Sequence, residues 1–343
     1  MFLDFFGLRE QPFGVTPDPR YLYLGPAHRE ALASLYYGIE ANRGFLSLIA
    51  RPGMGKTTLL FHLLAKFDRS ARTAFLFQTQ CSSREFMQFL LAEIGIETES
   101  HDFVRMHEQF NRCLVQEARA GKRFIVVIDE AQNLDSSVLE TVRLLSDFET
   151  PQAKLLQIVL VGQPGLADKL ASPSLVQLRQ RITSVSGLNP LSPEDVGRFI
   201  DHRLHVAGYR ANVPLFAPDA QELIGQVSEG IPRQINNYCF HSLSLACAMK
   251  KKIVDVNMVR EVMHDMDITR FVSDVGTSGN RHQGDNGGSD PYQPVQEVAG
   301  AARDYARSTK GTPPEYLSPA EAIEHMRDVA RLLHNWQGRR NSA

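Results

Sequence analysis

The nine residues Ala50-Arg51-Pro52-Gly53-Met54-Gly55-Lys56-Thr57-Thr58 constrain this chain more than any other stretch. An apolar run, Phe45-Leu46-Ser47-Leu48-Ile49, precedes them, and a helical run from Thr57 to Leu64 follows. A strand, a glycine-containing turn and a helix start, in that order, form the setting in which such a loop holds phosphate. Ala50 stands where a first glycine is commonest. Gly53 and Gly55 let backbone N–H groups close around phosphate oxygens, and the helix N-terminus adds a dipole that favours anions. Lys56 is placed to reach the β- and γ-phosphates of ATP, and the Thr57 hydroxyl to hold Mg²⁺. The residues expected to bind the nucleotide are therefore Arg51, Pro52, Gly53, Met54, Gly55, Lys56, Thr57 and Thr58.

The alternation of elements around the loop sets the fold class. Strand-like runs at 45–50, 73–79, 124–129, 156–162 and 182–186 are separated by helical ones at 28–42, 84–94, 104–120 and 137–148. Such alternation predicts an α/β fold, a parallel five-stranded sheet sandwiched by helices. The run 124–129 is almost wholly apolar and reads as buried on both faces. After Leu188 strand patterns stop. Ser192-Pro193-Glu194-Asp195 and Pro218-Asp219-Ala220 read as helix starts, and 232–250 and 256–267 as further helices. The expected division is an α/β nucleotide-binding domain over 1–188, a small all-helical lid over 189–268, a flexible linker over 269–316 and an amphipathic tail helix over 317–337. The linker is rich in Gly, Ser, Asn, Asp and Gln. The tail helix opens on the capping box Ser318-Pro319-Ala320-Glu321 and carries one apolar stripe from Ile323 to Trp336. Such a helix suits docking on a partner or on the core.

The third strand ends Ile128-Asp129-Glu130. Asp129 is expected to complete the Mg²⁺ site with Thr57, and Glu130 to act as general base on the attacking water. A further strand, 73–79, intervenes between loop and acids, which suits phosphate-loop ATPases with a catalytic glutamate beside the magnesium aspartate. Gln163, after the fourth strand, is expected between loop and acids, orienting water or sensing the γ-phosphate. Arg181, with Arg179 second, precedes the fifth strand where an arginine can reach a neighbouring subunit's nucleotide. Arg233, one residue past Pro232 at a lid helix start, can reach back to the β- and γ-phosphates and couple nucleotide state to lid angle.

Composition narrows the class further. The formal net charge of −2 over 343 residues gives no global case for nucleic-acid binding. Cys81, Cys113, Cys239 and Cys247 have neither metal-ligand nor disulfide-framework spacing and read as free thiols. No apolar run approaches the ~20 residues that cross a bilayer, and the acidic, short apolar start Met1-Phe2-Leu3-Asp4-Phe5-Phe6 is no signal peptide. The expected location is the cytoplasm, with attachment at the periphery of the inner membrane left open.

Phosphate loop, acidic strand end, Gln163, Arg181 and Arg233 together resemble the AAA+ ATPases, in that family's order, over residues 1–268. A narrower resemblance rests on Phe6-Gly7-Leu8-Arg9-Glu10-Gln11-Pro12-Phe13, Thr16-Pro17-Asp18-Pro19, Leu22-Tyr23, His28-Arg29-Glu30-Ala31-Leu32, Asp129-Glu130-Ala131-Gln132-Asn133-Leu134 and Val161-Gly162-Gln163-Pro164. These are similar to the general secretion pathway protein A (ExeA-type) ATPases. The resemblance implies that Tyr21–Tyr23 flank the adenine and that His28 begins the first helix of the fold. Members of that group can carry a membrane span and a peptidoglycan-binding domain after the ATPase; here a polar linker and one helix stand instead.

The function expected is ATP binding and hydrolysis with Mg²⁺, in a homo-oligomer that couples lid changes to a partner. An envelope secretion, exopolysaccharide or protein-sorting system, met through the tail helix, is that partner. Two alternatives stay open: a DNA-associated ATPase of the transposition or replication-initiation type, with nucleic acid not favoured, and a nucleotide-dependent adaptor with little turnover.

Overall fold

Hydrophobic strands flanked by amphipathic helices are satisfied only when both sheet faces are covered, and this architecture is present. The computed structural model describes residues 2–77, 80–97, 102–149 and 154–266. Strands β1 (Phe45–Ile49), β2 (Ala71–Leu76), β3 (Arg123–Ile128), β4 (Gln157–Gly162) and β5 (Ile182–Gly187) form one sheet in the order β2-β3-β4-β1-β5, every pair parallel. Side chains of β3 divide by period two between the faces. Phe124, Val126 and Ile128 enter one apolar cluster, while Ile125 and Val127 enter the other.

Helices α1 (Phe2–Phe6) and α2 (Pro26–Glu40) precede the sheet, and α3 (Lys56–Ala65) leaves the phosphate loop. Helices α4 (Ser83–Glu93) and α5 (Phe103–Arg119) join β2 to β3, α6 (Ser136–Leu145) joins β3 to β4, and α7 (Pro164–Ala171) and α8 (Val176–Arg181) join β4 to β5. Leu35 and Ile39 of α2 and Leu59, Leu60 and Leu63 of α3 cover one face. Phe86 and Leu90 of α4, Phe110 of α5 and Val142 of α6 cover the other. Helix α4 starts on a reciprocal capping box in which Ser82 takes the Glu85 N–H and the Glu85 carboxylate takes the Ser82 N–H.

Beyond β5 the chain is helical: α9 (Pro193–Val206), α10 (Pro218–Val227) and α11 (Pro232–Ala248), each with proline in the first turn, then a helix over 256–266. The amino-terminal segment shares the core of these helices. Phe6, Leu8, Phe13 and Tyr21 are buried in one cluster with Phe199, Phe216 and Tyr238. The Arg9 N–H donates to Ala207 O at 2.8 Å and Arg203 Nε to Pro12 O at 2.6 Å. The short helix α1 has no counterpart in the sequence reading, because five residues are too few for a helical period to register. Among the described residues no helix is long and apolar enough to cross a membrane. The linker at 269–316 and the tail helix at 317–337 lie outside the described residues.

The helical region after β5 contains a tight backbone crossing between the segment before α9 and the segment before α11. Gly230 has φ +68°, and a Cβ there would lie 2.2 Å from Leu191 O. The Leu191 N–H donates to Gly230 O at 2.9 Å across the same crossing. Gly230→Ala is expected to destabilise the protein by about 2–4 kcal/mol, through left-handed strain and steric overlap together. Urea unfolding followed by circular dichroism reads this; an unchanged midpoint would contradict the crossing.

Candidate functional site

The order of the strands brings the expected residues to one edge. Parallel strands all end on the same side, and β4 lies between β1 and β3. The loop after β1, the acids after β3 and Gln163 after β4 therefore emerge side by side. Gly53 and Gly55 take φ of +80° and +84°, the left-handed values that favour glycine. The carbonyls of Ala50, Gly53, Met54 and Gly55 are each taken by a donor: Lys56 Nζ at 3.2 Å, the Arg233 N–H at 3.1 Å, His28 Nε2 at 3.0 Å and the Leu59 N–H at 3.0 Å. The N–H groups of Gly55, Lys56 and Thr57 have no acceptor among the described residues. With carbonyls satisfied and N–H groups free, the loop and the first turn of α3 form an anion-binding nest.

The acids face that nest. The Thr57 hydroxyl donates to Asp129 Oδ2 at 3.1 Å, and the Glu130 N–H donates to Asp129 Oδ1 at 2.9 Å. Burial raises the Asp129 carboxyl above the usual aspartate value, with the Glu130 charge adding to it. Burial lowers the Lys56 ammonium, against the pull of Glu130 and Asp129. Glu130 has φ +50° and opens a short 3₁₀ turn, Ala131–Asn133. That turn returns Gln132 to the site. Glu130 Oε2 accepts Gln132 Nε2 at 2.5 Å and Gln163 Nε2 at 3.0 Å, while Gln132 Oε1 accepts the Gln163 N–H at 3.0 Å. Lys169 of α7 holds the turn through the carbonyls of Gln132 and Leu134 at 2.6 and 2.7 Å.

A cavity of about 240 Å³ runs from the loop towards α9 and α11, lined among others by Lys56, Thr57, Glu130, Gln163 and Arg233. Its far end is formed by residues 14–18 and 21–23, with Phe199 and Arg203 of α9. Tyr23 donates from its hydroxyl to Asp195 at 2.7 Å, which ties this end to α9. Arg203 is buried and stacks over the Tyr21 ring at 4.7 Å; burial brings its guanidinium down to about 10. Arg51 is exposed and lies outside the cavity lining, and Asp129 sits behind Thr57. Arg181 is placed elsewhere: it donates to Ser146 Oγ at 2.7 Å and pairs with the Asp147 carboxylate at the end of α6. Arg179 contacts Ala171 O at 3.3 Å.

Gln132 was not singled out from the residues. It stands in the stretch Asp129 to Leu134 that carries the family resemblance, but the left-handed turn that folds it back is not written in residue type. Oxygen ligands in reach of one another suit a small hard cation such as Mg²⁺, and the Thr57–Asp129 contact fits one. Asp129→Asn is expected to stabilise the nucleotide-free protein at pH 7 by about 1 kcal/mol, since the buried charge is removed and both hydrogen bonds can be kept. The raised pKa means that Asp129 favours folding when protonated and loses this as pH rises. The gain should therefore shrink as pH falls and the native residue becomes neutral. Thermal melts at pH 7 and pH 4 check it; a destabilised variant at pH 7 would contradict the burial argument.

Residues 39–170 match an AAA domain. Over 255 residues the chain is 40% identical to general secretion pathway protein A of Aeromonas hydrophila, covering 72% of this chain and 45% of that protein. The chain thus spans under half the length of that relative. Among solved structures, the Aeropyrum pernix ORC2 protein in ADPNP and ADP complexes superposes with a TM-score of 0.59 at 15% identity, over 94% of this chain and 89% of that one. Cdc6p of Pyrobaculum aerophilum gives a TM-score of 0.58 at 17% identity, over 74% and 70%. At these identities the structural likeness concerns the fold.

Proposed function

We propose that this chain, which matches an AAA domain over residues 39–170 and is similar to general secretion pathway protein A, binds ATP in the cavity described above and hydrolyses it. The observation that carries this reading is the grouping of Lys56, Thr57, Glu130, Gln163 and Arg233 around one cavity, beside a loop of free N–H groups. The nest of N–H groups and Lys56 hold the β- and γ-phosphates. Thr57 and Asp129 would hold Mg²⁺, which supplies positive charge against the phosphate oxygens. Glu130 takes the proton of the attacking water, with Oε2 fixed by the two amides and Oε1 outside those bonds. Gln163, in the cavity wall and hydrogen-bonded to the base, would orient the water.

Arg233 completes the cavity from the lid. Its backbone N–H already meets Gly53 O at 3.1 Å, so lid and loop are in register for its side chain to sense the phosphates. Arg181, turned away from its own subunit's cavity, acts on the nucleotide of a neighbouring copy in a homo-oligomer. The partner is an envelope secretion system or an exopolysaccharide or protein-sorting system, met at the periphery of the inner membrane; the name of the Aeromonas hydrophila relative supports the secretion reading. Calorimetry of the full chain with ATP and Mg²⁺, followed by phosphate-release measurements, tests the reading. It requires both a binding heat and release above background, and absence of binding heat removes it.

A further inference from the structure

The glycine that allows the phosphate nest does not by itself hold it. A peptide flip between Met54 and Gly55 changes ψ of the first residue and φ of the second, and glycine accepts either sign of φ. In the flipped state the Met54 carbonyl would face the phosphates and the Gly55 N–H would turn outward. Some group must select the productive orientation. His28, in the first turn of α2 and 3% exposed, lies against the loop with Nε2 at 3.0 Å from Met54 O, and its edge is part of the cavity wall. A carbonyl only accepts, so Nε2 carries the proton. Burial keeps the ring neutral, and Nδ1 has no partner among the described residues. In a trans peptide the C=O and the N–H point opposite ways. Fixing Met54 O outward on His28 therefore fixes the Gly55 N–H inward, towards the anion.

We propose that His28 is a positioning residue for phosphate binding, which locks the Met54–Gly55 peptide with its N–H facing the nucleotide. The inference rests on the nucleotide reading above and goes beyond it, since it gives His28 a task in the orientation of the loop backbone rather than a place among the phosphate ligands. It also gives α2 a function: the helix that covers the sheet face carries the prop for the loop on the neighbouring element.

The test compares His28→Leu, which fills the space without a donor, with His28→Gln, whose amide can offer an N–H at a similar reach. Affinities for ATP, ADP and adenosine are measured by calorimetry on the full chain. With His28→Leu, ATP and ADP affinity should fall about tenfold while adenosine affinity stays within about twofold, since only the phosphate contacts depend on the peptide. His28→Gln should stay within about threefold of the unaltered protein for all three ligands. Equal losses for adenosine and ATP, or equal losses in both variants, would make His28 a packing residue and overturn the proposal; so would unchanged ATP affinity in His28→Leu. Should His28→Leu not fold, His28→Asn, too short to reach Met54 O, carries the same expectation. Failure of the unaltered protein to bind ATP would instead remove the nucleotide reading, so the two failures are distinguishable.

Discussion

Glu130→Gln is expected to slow ATP turnover by about a hundredfold to a thousandfold and to leave ATP affinity within about threefold. The argument is local. Gln132 and Gln163 both donate to one carboxylate oxygen of Glu130, and an amide oxygen at the same place can accept both. The 3₁₀ turn and the Gln163 backbone contact should therefore survive the change. What is lost is the capacity to take a proton from water. Single-turnover hydrolysis and equilibrium nucleotide binding separate the two effects. Turnover near the level of the unaltered protein would assign the base elsewhere; a large loss of binding would mean that Glu130 holds the loop instead.

Lys56→Ala should weaken ATP binding by about a hundredfold or more. Lys56 is 7% exposed, and its ammonium hydrogen-bonds a neutral carbonyl, Ala50 O at 3.2 Å, rather than forming a close ion pair. Burial has already lowered its pKa, so this charge is undercompensated until an anion arrives. A bound triphosphate supplies what is missing. The same reasoning predicts that the empty variant keeps its stability, since removing an undercompensated buried cation offsets the lost packing of its stem. Fluorescent-nucleotide titration paired with a melting curve decides the matter. Lost affinity with an unchanged melt fits, whereas retained affinity would take the loop out of the phosphate site.

Much of this architecture was legible in the residues. The strand before Ala50, the loop and the helix after it form an unbroken local signal, because each depends on neighbours within a few positions. Asp129 and Glu130 were legible for the same reason: an apolar run ending in two acids marks a buried strand delivered to a polar edge. The helix starts at Pro193, Pro218 and Pro232 also came through, since proline in a first turn acts locally. Other features depend on contacts between distant segments. The expected Arg51 contact finds no counterpart in the cavity lining, as residue type does not say which way a loop side chain turns. Arg181 was read for a neighbour's nucleotide, and within the chain it is held by Asp147, a pairing that only the meeting of α6 and α8 creates. Phe6, Leu8 and Phe13 read as part of the α/β domain over 1–188, and in the structure they are buried with the helices that follow β5.

By itself, then, the sequence determined the nest-forming loop, the two acids and the alternation that builds a covered parallel sheet, because hydrophobic period and backbone chemistry act over short range. Only the tertiary structure decided that Arg181 would pair with Asp147, that Gln132 would turn back onto Glu130, and that His28 would meet the Met54 carbonyl. Those outcomes depend on the meeting of α6 and α8, on one left-handed residue and on the seating of α2, and none of them is written in residue type alone.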